Sequence, residues 1–363
     1  MLMGNPASQV IKVDPVHPDE SALVPATRAI RSGGVVVFPT ETVYGIGASA
    51  LDSEACARIF KIKGRPSDNP LIVHASSFDE ASRYGMIPKE YREALLRIWP
   101  SPITVIVEST GRLPNEVTAG LDTVAIRVPA HPVALSLIAG SGVPIAAPSA
   151  NPSKKPSATT GLQAARYFKG TVEAIIDAGP SFFGVESTII DLRDFTILRP
   201  GPFTTEEIER AFGKKPNITG VTKGLESPES AVSPGVKYKH YAPDTPAFLF
   251  EGSMDALLDA VAELTTISEF AFIGSSEDCE AASREIGCST ISLGPAGELY
   301  EVAKNLYNAF ILLDSMKVNF AIVREFPEDG IGLAIMNRIR KATSHLKFST
   351  SQQLEALVST LRK

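Results

Sequence analysis

The chain has 363 residues, 44% of them hydrophobic and 21% charged. That is too long for one ordinary hydrophobic core and too apolar for a disordered chain, so two globular domains are expected. Its formal net charge of -6 excludes a protein-wide basic field that would gather nucleic acid or anionic lipid, and any polyanion site has to be local.

Cys56, Cys279 and Cys288 show neither Cys-x-x-Cys nor zinc-type spacing, which disfavours a disulfide framework and a structural metal and fits a reducing compartment. The opening "MLMGNPASQVIKVDPVHPDE" lacks the charged start and apolar core of a signal peptide. No run of about 18 apolar residues occurs, so a cytoplasmic protein without membrane association is expected.

In chain order, "IKVDP", "ALVPATRAIRSGG" and "VVVF" read as strand, helix and strand. Short apolar or β-branched strands follow at "LIVHA", "ITVIVE", "TVAIRVP", "VPIAAP", "EAIIDAG", "STIIDL" and "FTILRPG", with helices at "SEACARIFKIK", "PKEYREALLRIW" and "HPVALSLIAGSG". The Pro-, Gly-, Ser- and Lys-rich stretch 213–246 has no apolar period and reads as a linker, either a tether or a lid. Beyond it strands and helices alternate, the grammar of a small parallel-sheet domain.

Several polar stretches stand out. In "SEACARIFKIKGRP", Cys56, Ile59 and Phe60 mark a buried helix face, and Lys61, Lys63 and Arg65 crowd its last turn before the stop signals Gly64 and Pro66. Taken alone, such cations merely complement a helix dipole. "APSANPSKKPSATT" offers hydroxyls, an amide and lysines suited to phosphate, although its composition also suits a solvated loop. His74, Arg127, Glu186, Ser187, Thr188 and Arg199 lie at strand ends, where a ligand site would gather them. No P-loop pattern is present. "GIGASA" has dinucleotide-type glycine spacing but is separated from its strand by "PTETVY", so Gly45 and Gly47 are read as turn formers.

The ordered set "PTETVYGIG", "KIKGRPSDNPLIVH", "SPITVIV", "AIRVP", "APSANPSKKPS", "GVESTIIDL", "LRPG" and "SPGVKYKHYAP" strongly resembles the long, two-domain form of the YrdC-type threonylcarbamoyl-AMP synthases. The resemblance implies an α/β (α+β) chain. A YrdC-like twisted mixed β-sheet domain with helices would occupy 1–212, a linker or lid 213–245, and a small Rossmann-like parallel α/β domain 246–363. It implies a nucleotidyltransferase that converts L-threonine, bicarbonate or CO2, and ATP into threonylcarbamoyl-AMP and pyrophosphate. A tRNA threonylcarbamoyl transferase would receive the product, and direct tRNA contact is left open.

By the same resemblance, Lys63 and Arg65 are catalytic and contact phosphates. Arg65, Asn69, Ser149, Asn151, Ser157, Arg199 and Tyr241 bind ATP, with His240 beside Tyr241. Thr42, His74, Arg127, the backbone of Ala147, and Ser187 hold threonine, with Arg127 as the fork for its carboxylate. Mg2+ is expected to arrive with ATP, held by phosphate oxygens and water rather than by a protein cage. The competing expectation, a non-catalytic RNA- or nucleotide-binding module, is opposed by the acidic charge and the lack of a basic, aromatic-interleaved stripe.

Overall fold

A computed structural model describes residues 8–226, 241–262 and 269–361. His240 lies outside them. The chain divides into two compact units; of the described residues, the first holds 8–153, 157–222 and 226, and the second 154–156, 223–225 and the remainder from 241 onward.

In chain order the N-terminal elements are β1 (Gln9–Lys12), α1 (Glu20–Arg31), β2 (Val36–Phe38), β3 (Gly45–Ser49), α2 (Ser53–Lys63), β4 (Ile72–His74), α3 (Phe78–Ala81), β5 (Gly85–Met86), α4 (Lys89–Ile98) and β6 (Ile103–Ser109). There follow α5 (Asn115–Thr118), β7 (Thr123–Arg127), α6 (Pro132–Ser141), β8 (Ile145–Ala147), α7 (Gly161–Phe168), β9 (Ala174–Asp177), β10 (Thr188–Asp191), β11 (Thr196–Arg199), α8 (Thr205–Phe212) and α9 (Gly220–Lys223). The strands form one mixed sheet in the order β1-β9-β2-β3-β8-β4-β7-β6-β10-β11, with β5 paired to β6.

Alternation along these strands feeds two cores. Val35 and Val37 join one with Ile46, Ala48, Ala146 and Ile175, while Val36 and Phe38 join the other with Ile145, Ala147, Ala174 and Ile176. A sheet apolar on both faces explains why its strands read as continuous apolar runs.

"GIGAS" departs from expectation. It forms β3, antiparallel to both β2 and β8, instead of a turn. Its glycines are spacers: a Cβ on Gly47 would stand 2.6 Å from Ile145 Cγ2 and 3.0 Å from Ala147 Cβ, and one on Gly45 would stand 3.1 Å from the Phe38 ring. The start of the sequence-predicted linker is also structured. Ile197 N donates to Asn217 O and Asn217 N to Phe195 O, so 217 pairs with the edge strand β11.

In the second unit β12 (Ala247–Phe250), α10 (Met254–Val261), β13 (Phe270–Gly274), α11 (Ser276–Glu285), β14 (Ser289–Ser292), α12 (Leu299–Leu313), β15 (Phe320–Arg324), α13 (Gly332–Ala342), β16 (Lys347–Phe348) and α14 (Ser351–Thr360) follow one another. Its five strands run parallel in the order β14-β13-β15-β12-β16. Phe248, Phe250, Phe272, Phe320 and Phe348 fill its core. The sheet is parallel, as the alternating grammar predicts, but its strand order differs from that of the dinucleotide-binding fold. β16 and α14 escaped the sequence reading.

Candidate active site

Helix α2 sets the first group of side chains. The Asp52 side chain caps its start by accepting from Ala55 N, and Cys56, Ile59, Phe60 and Lys63 follow at helical spacing on the buried face. Lys63 thus continues an apolar stripe and points inward, only 4% exposed, whereas Lys61 is exposed. Lys61 therefore does not share the buried site that its neighbours occupy. Gly64 ends the helix in the left-handed conformation, φ 61°, and Arg65 N donates back to Phe60 O.

The Lys63 ammonium donates to the carbonyl of Ser149 at 2.5 Å and to that of Asn151. Burial pushes Lys63 well below the ordinary lysine range, Arg65 pushes it further, and Glu186 opposes them. The Ser149 hydroxyl donates to Asn151 Oδ1 at 2.6 Å, and the Ser157 hydroxyl to Glu186 Oε1 at 2.6 Å. Arg65 lies across the next turn, its guanidinium donating to the carbonyls of Asn69 and Pro70. Asn69 is buried, and its Oδ1 finds no partner among the described residues. The charged helix end and the polar loop after β8, separate in sequence, are therefore one hydrogen-bonded cluster.

A second group gathers around Arg127. β4 and β7 pair in parallel with His74 opposite Arg127, which puts the two side chains at neighbouring strand ends. His74 Nδ1 lies 3.1 Å from Ile72 O; a carbonyl only accepts, so this nitrogen donates. Burial first and the Arg127 charge second pull the His74 pKa down to about 3, leaving a neutral ring at neutral pH. Arg127 Nη1 donates to Thr42 Oγ1 at 3.0 Å. Its Nη2 stands 2.5 Å from Glu41 Oε1, an ion pair with both side chains less than a tenth exposed.

Sequence reasoning missed Glu41. It sits in a tight turn without periodicity, held by Phe183 N on its own carbonyl and by Gly184 N on that of Thr42. The only signal available was an acid within the otherwise hydroxyl and apolar "PTETVY".

Ser187 and Arg199 link to each other as well. Arg199 donates through Nε to Ser187 O and through Nη2 to Ser187 Oγ, both at 3.0 Å, and Ser187 Oγ also lies 2.8 Å from Thr104 Oγ1. The approach is close because residue 201 is glycine: a Cβ there would fall 2.4 Å from Thr188 N. β8 places Ala147 beside Ile72 of β4.

Of the sequence-predicted site residues, Thr42, Lys63, Arg65, Asn69, His74, Arg127, Ala147, Ser149, Asn151, Ser157, Ser187 and Arg199 all lie in the first unit. Tyr241 belongs to the second, buried with its ring centroid 5.2 Å from that of Tyr307 and the Arg338 guanidinium carbon 5.7 Å away. No three His, Cys, Asp or Glu side chains gather into a metal cage among the described residues.

Known proteins resemble this chain along most of its length. The family described as Telomere recombination matches residues 28–201, and the threonylcarbamoyl-AMP synthase C-terminal domain matches 203–344. A threonylcarbamoyl-AMP synthase of Pyrococcus abyssi is 42% identical over 87% of this chain and 92% of its own length. One of Bacillus subtilis is 41% identical over 91% and 95%. The crystal structure of the P. abyssi protein Sua5 complexed with L-threonine superposes with a TM-score of 0.86 at 40% identity, covering 94% of this chain and all of that one. With both modules matched in order along one chain, this protein belongs to the threonylcarbamoyl-AMP synthase family.

Proposed function

We propose that the chain forms L-threonylcarbamoyl-AMP and pyrophosphate from L-threonine, bicarbonate or CO2, and ATP, and that a transferase moves the threonylcarbamoyl group from this product to tRNA. The observation that carries the reading is the convergence, in one unit, of two chemically different groups. One is the Lys63, Ser149, Asn151, Ser157 and Glu186 cluster; the other is Arg127 with Glu41, Thr42 and His74.

The first group suits a polyanion. Lys63 spends two donors on carbonyls and keeps an N–H for a phosphate oxygen, while fixing the loop that carries the Ser149 and Asn151 side chains. Arg65 brings a second cation to the same turn. The second group suits the amino acid, with Arg127 meeting its carboxylate and the neutral His74 and Thr42 offering hydrogen bonds to its polar atoms.

Chemically, the amine nitrogen takes up CO2 to give a carbamate. A carbamate oxygen then attacks the α-phosphorus as pyrophosphate leaves, and the Lys63 and Arg65 charges offset the growing negative charge. Mg2+ enters with ATP as a hard cation coordinated by phosphate oxygens and water, and no residue of this chain is assigned to hold it. Among the described residues no helix is long and apolar enough to cross a membrane. The three thiols are free, in keeping with a reducing, cytoplasmic setting.

The test is pyrophosphate release from ATP with L-threonine and bicarbonate each supplied or withheld. The reading expects release only when both are present, with serine a poorer substitute; release independent of threonine refutes it.

A further inference from the structure

We propose that Glu41 recognises the α-ammonium of the amino-acid substrate and accepts the proton that this nitrogen must shed before it can be carboxylated. The proposal rests on the reading of this site as the threonine site. Glu41 is 6% exposed and Arg127 3% exposed, and their Oε1 and Nη2 atoms are 2.5 Å apart. Proximity does not bring alignment: neither Glu41 oxygen, nor Arg127 Nε or Nη2, makes a well-directed hydrogen bond among the described residues. Buried charged groups normally fill their hydrogen-bonding capacity, so a pair this deep with both halves underused is shaped for something that supplies the missing donors and acceptors.

An α-amino acid supplies both. Its carboxylate and ammonium hang from one carbon, so its receptor needs a cation and an anion side by side, as Arg127 and Glu41 are. A carboxylate accepts but does not donate when ionised, which matches an ammonium and rejects a second carboxylate. The pair is also locked in place. Thr42 Oγ1 accepts from Arg127 Nη1, and the turn that carries Glu41 is tied by Phe183 N to Glu41 O. His131, likewise buried, feels Glu41 and Arg127 with opposite signs and adds no net charge to the subsite while burial keeps it neutral.

In the proton step one N–H bond of the ammonium breaks and one O–H bond forms on Glu41. The nitrogen keeps the electron pair it needs to attack carbon.

Titration calorimetry of the full chain compares L-threonine with 3-hydroxybutanoate, which keeps the carboxylate and hydroxyl but lacks the ammonium. The wild type should prefer threonine by about 30-fold or more, the weight of a charge-assisted hydrogen bond. Glu41→Gln should bring the two ligands within about threefold of each other and lower kcat, at saturating threonine, by about 100-fold or more. A folded Gln variant that keeps the wild-type preference, or the wild-type kcat, overturns the proposal. Should that variant not fold, Glu41→Asp carries the test. It should still prefer threonine while its kcat falls about tenfold or more, because the carboxylate is drawn back by one methylene; an unchanged kcat overturns the proposal. A wild type that binds neither ligand removes the threonine reading itself, a result distinct from either.

Discussion

Lowering the pH from 7 to 5 should cost the first unit about 2 kcal/mol of stability through His74 alone. In the folded chain its pKa is pulled to about 3, by burial first and by Arg127 second, whereas the unfolded residue keeps the ordinary 6.5. Between these values the unfolded state binds a proton that the folded state refuses. This contribution is therefore complete above 6.5, is lost as pH falls, and bottoms out near 3. At pH 5 the unfolded imidazole is about 97% protonated, which stabilises the unfolded chain by about 2 kcal/mol, against a few tenths at pH 7. Trp99, the chain's one tryptophan, is buried in a core of the same unit and reports urea unfolding by fluorescence. Melts of the wild type and His74→Gln at both pH values isolate the effect, because all other titrating groups are shared. The stability gap between the two proteins should move by about 2 kcal/mol in favour of the variant on going to pH 5. Parallel losses in both would refute the neutral, buried histidine.

Three further outcomes test the site and its support. Arg65→Ala should raise the KM for ATP by about tenfold or more while threonine affinity shifts by less than about threefold, and Arg127→Ala should do the reverse; equal losses for both ligands in both variants would erase the division into subsites. Lys63→Met leaves the Ser149 and Asn151 carbonyls without their donor and should lower kcat/KM for ATP by about 100-fold in the pyrophosphate assay, with a folded circular dichroism spectrum retained. Gly47→Ala drives a methyl group against Ile145, Ala147 and Phe38 and should destabilise the first unit by about 1–3 kcal/mol in the same Trp99 melts.

How much of this was legible in the sequence depended on whether the responsible interaction was local. The strands announced themselves because a sheet buried on both faces demands unbroken apolar runs, and Lys63 was legible only as one of three cations crowding a helix end, its place on the buried face and the exposure of Lys61 being set by the fold. β3 was misread because its glycines looked like turn residues, and only the partners Phe38 and Ile145, brought in by neighbouring strands, show why a side chain is excluded there. β16 and α14 were missed for want of a long apolar period; β16 has only two residues, and α14 buries just Leu354 and Val358. Glu41 was illegible for the same kind of reason as β3: its significance lies in Arg127, which arrives on another strand far along the chain.

The partners given to the buried cations explain how an acidic chain can hold two ligands of different charge. Burying an ammonium or guanidinium is costly unless its hydrogens are taken up, but the acceptor can be a neutral carbonyl or a charged carboxylate. Lys63 rests on the carbonyls of Ser149 and Asn151, and Arg65 donates to those of Asn69 and Pro70. Carbonyls satisfy hydrogen bonds without cancelling charge, and the carboxylate whose charge reaches Lys63, that of Glu186, is itself held by the Ser157 hydroxyl. Arg127 instead stands against Glu41, which offsets its charge and makes a dipolar pair suited to a zwitterion. Without Glu41, an uncompensated Arg127 would favour any anion over an amino acid. The overall charge of -6 therefore says little about the site, where the choice of acceptor for each cation does the discriminating.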